Sequence, residues 1–547
     1  MHPTAATTRT LSASPGESHH LGFAVICLLA ALLLSVIVFT ESTWTQASTP
    51  LLRYVGLSLL LVLIAVAGIS WGSVSLRLGR LDLLELPVWY SIWALVSIVF
   101  FGLFGYLGDP RKYGTTRVVP EPGWAADGLW LLVVSLPSLW IGYRLGWMRL
   151  TKHSRPVWWQ NTSRLLPSRL VLAGVYLLIW LLRMWQVRAI GIAYDFDMED
   201  KEGYSAFIQW ATYFQECSYL VVAVLAVHSF RRELNRTFLW IVVALEIVFG
   251  LTTGFVAPVF RLFVLLLGVA MYCGRRLWTQ QNAFVAFLLL ATYVFVAPVT
   301  SVYRDLVRSG IVNPRSVVSA AAGAAEATRL SWGTDLELTY ELLESKVVGR
   351  QAGFAPILGV IVNVTPSDIP FWGVDRLLLI PLSIVPRAIW PDKPVLTLGH
   401  YFNVEYLGAS PESTTSVNYT MYGDLYLSAG WPAVVIGMIL LGVILAWLYR
   451  GFALHAQLTQ NPGLFALYTA IAVSMIFDET AYVGLVSGLF HHLVILPAVF
   501  VLIYAPSRNQ MHGQDAQAGQ RNPVQADQIE LLPVDRGVRM SEEVIKT

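Results

Sequence analysis

Charge is scarce in this sequence. Only 13% of its 547 residues are Asp, Glu, Lys or Arg, against roughly 25% in soluble domains. That shortage, with a 56% hydrophobic content and a mean hydropathy of +0.59, excludes an ordinary water-soluble globular chain and reads as an integral membrane protein. Net charge is lacking too: the formal value is +2, which offers no field for nucleic acid. Cysteine is rare. Cys27, Cys217 and Cys273 lie in or at the end of apolar runs, so neither a disulfide framework nor a zinc site is spelled. HExxH, P-loop, GxSxG and CxxC patterns are missing from any context that would support them. Residues 1–20 show no basic stretch and no obvious cleavage site, so the apolar run after them reads as a retained helix and not a signal peptide. No internal repeat argues for an inverted-repeat transporter.

Apolar runs are what the chain has in abundance. A membrane span needs roughly 20 apolar residues at about 1.5 Å rise each. About twelve segments qualify, near 21–39, 51–70, 87–107, 128–148, 170–187, 209–228, 237–255, 257–273, 282–300, 431–449, 464–480 and 484–505. The 20 Trp suit long membrane–water boundaries. The expected fold is therefore an all-α polytopic membrane protein. Basic residues mark every even-numbered loop: Arg77 and Arg80; Arg149, Lys152, Arg155, Arg164 and Arg169; Arg231, Arg232 and Arg236; Arg275 and Arg276; Arg450. Odd-numbered loops carry the acids, above all Asp195, Asp197, Glu199, Asp200 and Glu202. Under the positive-inside rule both termini are cytoplasmic. The organisation is then a cytoplasmic tail (1–20), spans one to nine (21–300), a long extracytoplasmic loop (301–430), spans ten to twelve (431–506) and a disordered cytoplasmic tail (507–547) rich in Gln, Asn and Asp.

The long loop has readable parts. Residues 316–330 are Ala-rich and helix-prone. Residues 332–348 place Trp332, Leu336, Leu343 and Val347 at helical spacing, as in an amphipathic helix. Leu377–Val385 is apolar but only about nine residues long, short enough to dip into a bilayer and return if protein covers its backbone. The stretch Arg376–Gly430 is dense in Pro, aromatics and isolated charge, and such a long loop reads as a working part.

Ionisable residues in or beside spans cost several kcal/mol unless paired or wet, so each is a functional candidate. Arg261 sits about one turn inside the eighth span. Arg183 and Arg188 flank the fifth, Arg304 and Arg308 follow the ninth, and Arg387 follows the short apolar run. All fall at the expected outer level, against the positive-inside trend. Snorkelling to lipid phosphates is the competing explanation. For Arg261 and Arg387 function is the better one: a guanidinium offers planar bidentate donors to phosphate oxygens and does not deprotonate. Asp195-Phe196-Asp197 spells a DxD, but an acidic outer loop explains it better. His491-His492 lies about two turns inside the last span, as a base or as a bonded core pair. Asp478 and Glu479 sit at the expected outer tip of the last hairpin, and Glu246 is the chief mid-span charge.

Residues 380–394, IPLSIVPRAIWPDKP, and then YGDLYLSAGWPAVVIGMILLGVILAWLYR, resemble bacterial O-antigen polymerases of the Wzy type, the oligosaccharide repeat-unit polymerases. The matching positions are Pro386, Arg387, Trp390, Pro391, Lys393 and Pro394, then Gly423, Tyr426 and Gly430, with Arg261 in PVFRLFVLLLG matching an early Arg of a middle helix. The resemblance covers about 250–480 by pattern and the first 250 residues by hydropathy alone. It implies a GT-C-like polytopic fold at the outer face of a bacterial inner membrane. The implied reaction transfers a growing glycan from undecaprenyl diphosphate to the next lipid-linked repeat unit. The implied partners are that lipid-linked oligosaccharide, membrane lipids, a flippase and a chain-length co-polymerase.

Residues and resemblance agree on the chemistry. A departing lipid diphosphate leaves negative charge on oxygen, which preorganised cations stabilise. The expected diphosphate-binding residues are Arg261, Arg304 and Arg387, with Lys393 assisting. No metal cluster is spelled, so no metal or other cofactor is expected. An acceptor hydroxyl needs a base late in an inverting displacement, and Asp424, Glu405, His400 and His491 all qualify. Two alternatives remain: a ligase that hands finished glycan to another acceptor, and a flippase or exporter of the same glycan. The first outer loop offers only Glu41, which argues against a transferase using a polyprenyl monophosphate sugar.

Overall fold

The computed structural model describes residues 50–77, 82, 84–103, 123–149, 166–190, 213–273, 280–313, 315–333, 336–385, 389–390, 393–394, 398–412, 416–476 and 479–504. Every regular element among them is helical. The expected span at 21–39, both tails and the acidic run 195–202 lie outside these residues. Each of the other eleven expected spans meets a helix. They are α1 (Pro50–Gly72), α2 (Leu86–Trp93, extended by a π turn at Ala94–Phe100), α3 (Trp124–Arg149), α4 (Arg169–Ile190), α5 (Cys217–Phe230), α6 (Arg236–Thr252), α7 (Ala257–Tyr272) and α8 (Gln280–Arg308), then, after the loop elements, α13 (Thr420–Leu448), α14 (Pro462–Ser474) and α15 (Tyr482–Tyr504). Seven helices among the described residues are long and apolar enough to cross a membrane, whereas Ala257–Tyr272 and Pro462–Ser474 are shorter apolar helices.

Two helices organise the packing. α3 takes α1, α13 and the loop helix α11 (Phe354–Val364) against its length. Small residues permit that closeness. A Cβ built on Gly142 would lie 2.1 Å from the Ile439 carbonyl oxygen, and one on Gly359 would lie 2.0 Å from that of Trp124. We expect Gly142→Ala to push α3 and α13 apart and lower stability by about 1–3 kcal/mol. Gly174, with nothing within 4 Å of its Cβ position, is the control, and Gly174→Ala should leave the melting temperature in detergent where it is. Equal melting temperatures for the two variants would refute this close packing. The second organiser is α5, buried from Cys217 to Ser229, with α6, α7 and α14 around it.

At one end of the bundle, carboxylates staple the chain. Glu85 is fully buried and accepts from Ser73 and Ser75 hydroxyls, both at 2.7 Å, from the Val74 and Ser75 N–H groups and from Tyr143 at 2.8 Å. Burial pushes its carboxyl above the ordinary range even so. Asp82 accepts from Tyr449 at 2.9 Å, joining the same turn to α13.

The region between α8 and α13 contains α9 (Val317–Ser331), α10 (Leu336–Leu343), α11 and α12 (Gly399–Glu405). The Ala-rich segment is α9, whose Ser316 cap accepts from Ser319 N–H, a common N-cap arrangement. The stretch around Leu377–Val385 holds one α turn, Asp375–Leu378, and one 3-10 turn, Pro381–Ile384, with Leu378 71% exposed; proline and short length favour turns there over a longer helix. α11 is an apolar helix whose Phe354, Ala355 and Leu358–Ile361 are buried. α13 is two helices that meet at a kink at Ala429 and Gly430, so the expected span at 431 opens with the second and a helix from Thr420 precedes it. Its first half is buried, and Gly430, at φ +68°, breaks it before Pro432. Phe371 covers the missing Cβ of Gly430, and Trp372 N–H donates to Leu427 O across the break at 2.8 Å.

Candidate functional site

The site forms where α5 and α7 begin, α14 ends and α15 passes. α14 stops at Ser474 inside the bundle, so its last carbonyls need donors. Arg261 Nη2 donates to Ser474 O at 3.2 Å. Tyr90 and Trp89 of α2 donate to Met475 O and Ile476 O, each at 2.5 Å. Arg261 thereby completes a helix end, and a cation is favoured there by the helix dipole. Its side chain keeps 19% exposure.

The same guanidinium faces Glu216, Nη1 to Oε1 3.7 Å. The other carboxylate oxygen, Oε2, contacts His492 Nε2. His492 Nδ1 lies 3.2 Å from Ser474 Oγ, so both ring nitrogens are engaged. His491, one residue earlier and about 100° round the helix, is held differently. Its Nδ1 donates to Ser487 O at 2.7 Å, and its ring stacks on Tyr213 at 4.0 Å between centroids. The Ser383 backbone also hydrogen-bonds the His491 ring, and Lys393 is close enough for its charge to act on it. Lys393 is buried and donates to Ser383 O and, at 3.0 Å, to Val385 O. It thus caps the 3-10 turn that rests on α15. Arg261, Glu216 and His492 therefore form one connected cluster at α5, α7 and α15, with His491 and the turn that Lys393 caps beside it.

Other expected site residues fall elsewhere. Asp424 is 0% exposed and accepts from Arg376 Nη2 and, through Oδ2, from Val483 N–H at 2.9 Å. Arg376 also donates to Ser428 Oγ at 3.1 Å and lies over the Trp372 ring at 4.8 Å. Burial opposes the charge on Arg376, but Asp424 and Tyr419 outweigh it and leave its pKa above the usual guanidinium value. With both oxygens occupied, Asp424 pins the loop and the start of α15 to α13, a part that fits it better than that of a base. His400 and Glu405 are exposed on α12, and no contact among the described residues joins them to the cluster. Arg304 packs against the turn before α7, its Cγ 2.8 Å from the Cβ position of Gly254. Arg387, with Pro386, Pro391 and Asp392, lies outside the described residues, as does Asp478. Glu479 is buried, not a solvated loop acid, and accepts from Gln351 at 3.1 Å.

Glu216 is the residue that sequence reading missed. Its signal was present, an acid inside an apolar segment near 209–228. His492 was seen only as the neighbour of His491. Among the described residues no group of three or more His, Cys, Asp or Glu has an arrangement that could hold a metal ion.

A family model described as Domain of unknown function (DUF8712) matches residues 190–480, just over half of the chain. Glu216, Arg261, Lys393 and Asp424 fall inside that region, and His491 and His492 beyond it. No curated protein and no solved structure matches the chain.

Proposed function

The chain belongs to the DUF8712 family, and from its site we propose that it is a multi-pass membrane glycosyltransferase that polymerises lipid-diphosphate-linked oligosaccharide repeat units. The observation that carries this reading is that Arg261 and the carboxylate-backed His492 share Glu216 inside an apolar bundle, with Lys393 on the turn beside the neighbouring His491. Two cations suit a leaving diphosphate, and an imidazole held at Nε2 by a carboxylate suits a proton acceptor at Nδ1 once Ser474 Oγ is displaced. The resemblance to O-antigen polymerases adds the substrate: a growing glycan on undecaprenyl diphosphate as donor and the next lipid-linked repeat unit as acceptor.

In the proposed step, an acceptor hydroxyl attacks the anomeric carbon of the donor as the bond from that carbon to the diphosphate oxygen breaks. The configuration inverts. Arg261 and Lys393, with Arg387 of the same loop, stabilise the charge that collects on the diphosphate. His492, its Nε2 backed by Glu216, accepts the hydroxyl proton at Nδ1, where the acceptor hydroxyl takes the place of Ser474 Oγ. This assigns the base to His492 ahead of His491, Asp424, Glu405 and His400. The full topology belongs to the proposal: twelve crossings of a bacterial inner membrane, an extracytoplasmic 301–430 and cytoplasmic termini. α6, α7 and α14, at 17, 16 and 13 residues, then complete their crossings with the turns beside them. A flippase and a chain-length co-polymerase are the proposed working partners, and no metal takes part.

Deleting the gene separates this reading from its rivals. A polymerase mutant is expected to display single repeat units on the surface acceptor. A surface with no repeat units at all would point to an exporter. Polymer that forms but stays on its lipid carrier would point to a ligase.

A further inference from the structure

A lone arginine and a lone glutamate inside apolar helices are expensive to bury. Arg183 of α4 and Glu246 of α6 have side chains only 5% and 6% exposed. They meet in a two-bond fork, Nη1 to Oε1 at 2.6 Å and Nη2 to Oε2 at 2.9 Å. The guanidinium lies over the Phe249 ring at 4.1 Å, and Tyr176 donates to Glu246 Oε1 at 3.0 Å. Replacing such a pair by apolar side chains commonly leaves stability unchanged or raises it. Stability alone therefore does not explain two charges at this place.

What the pair adds is a grip on a third helix. Arg183 Nη2 donates to Ser218 Oγ at 3.1 Å, and Ser218 Oγ donates to Glu246 Oε2 at 2.9 Å. Ser218 is two residues from Glu216. Glu216 itself precedes α5, and its side chain caps no backbone group of that helix, so the helix does not fix its direction. On the other side Tyr219 donates to Pro258 O at 3.4 Å, three residues before Arg261. The first turn of α5 is thus tied to the buried pair on one flank and to the start of α7 on the other. The geometry points to the Arg183–Glu246 pair as the positioning device of the site: through Ser218 it fixes the first turn of α5, so that Glu216 meets His492 Nε2 and faces Arg261. Arg183 and Glu246 are positioning residues, and the inference rests on the reading of Glu216 and His492 as the working pair.

The test reads the histidine and not the glycan. Diethyl pyrocarbonate acylates an imidazole nitrogen that has a free lone pair, and fragment mass spectrometry separates His492 from His491. The full chain in lipid nanodiscs should react slowly at His492, because both ring nitrogens are engaged. Glu216→Ala sets the fast limit. Ser218→Ala is expected to react several-fold faster than wild type, and Ser218→Thr, which keeps the hydroxyl, to return to the wild-type rate. The double variant Arg183→Met with Glu246→Leu should also react faster, at a melting temperature equal to or above wild type. Wild-type rates in Ser218→Ala and in the double variant, beside a fast Glu216→Ala, would overturn the inference. So would a Glu216→Ala rate equal to wild type, because nothing would then be held in place. Failure of the chain to make polymer would refute the proposed function and leave these rates as they are.

Discussion

His492→Ala is expected to slow glycan elongation by about 10²–10⁴-fold, the usual worth of a positioned general base, while folded protein remains. His492 is buried, and its Nε2 rests against a carboxylate that can steady the charge it gains on accepting a proton. Its other nitrogen lies beside Ser474 Oγ, so the ring is oriented from both sides. Glu216→Gln should fall in the same direction by a smaller factor, since an amide can hold the ring without supplying charge. His491→Ala is the contrast. Its Nδ1–H is spent on Ser487 O and its ring on Tyr213, so its loss should affect packing more than turnover. Initial rates with lipid-linked repeat unit, at matched amounts of folded protein, decide between the two histidines. A wild-type rate in His492→Ala would remove that residue from the mechanism.

Asp424→Ala should cost about 3–5 kcal/mol, because it leaves the buried guanidinium of Arg376 without its counter-charge. The variant also removes the acceptor for Val483 N–H at the start of α15. Most of the protein should then fail to fold, and the remainder should melt at a lower temperature. Replacing both partners, Asp424→Leu with Arg376→Met, is expected to recover much of the loss. Elongation should return with the fold. A well-folded Asp424→Ala protein that makes no polymer would reverse the assignment and make Asp424 the base.

How much of this was legible beforehand depends on the residue. Arg261 stood out because a charge in an apolar run has few uses, and in the structure it meets Ser474 O and Glu216. Lys393 stood out as a position of the motif that carries the resemblance. The choice between His491 and His492 was not legible. One residue turns a helix by about 100°, and only the positions of α5 and α14 decide which ring meets Glu216. Arg183 and Glu246 were each visible as misplaced charges, but their pairing joins helices 63 residues apart in the chain. Helix length failed for a physical reason. A hydropathy window expects α14 to continue to about 480. Donors from α2 and α7 satisfy its last carbonyls at 474–476, so it ends early inside the bundle. α13 was legible in its second half. Gly430 and Pro432 mark where the helix expected from 431 begins, after the kink at Ala429 and Gly430. The buried helix from Thr420 that precedes the kink was not legible, because its burial comes from partners distant in the chain, Phe371 and Trp372 among them.

The most direct measurement is elongation by the purified protein. The full chain, reconstituted in lipid vesicles with undecaprenyl-diphosphate-linked repeat unit and a metal chelator, should produce a ladder of glycans longer than one repeat. The Arg261→Ala and His492→Ala proteins should not. No ladder from wild type with or without Mg²⁺ or Mn²⁺ would contradict the polymerase assignment, and a ladder only with added metal would contradict its metal-free chemistry.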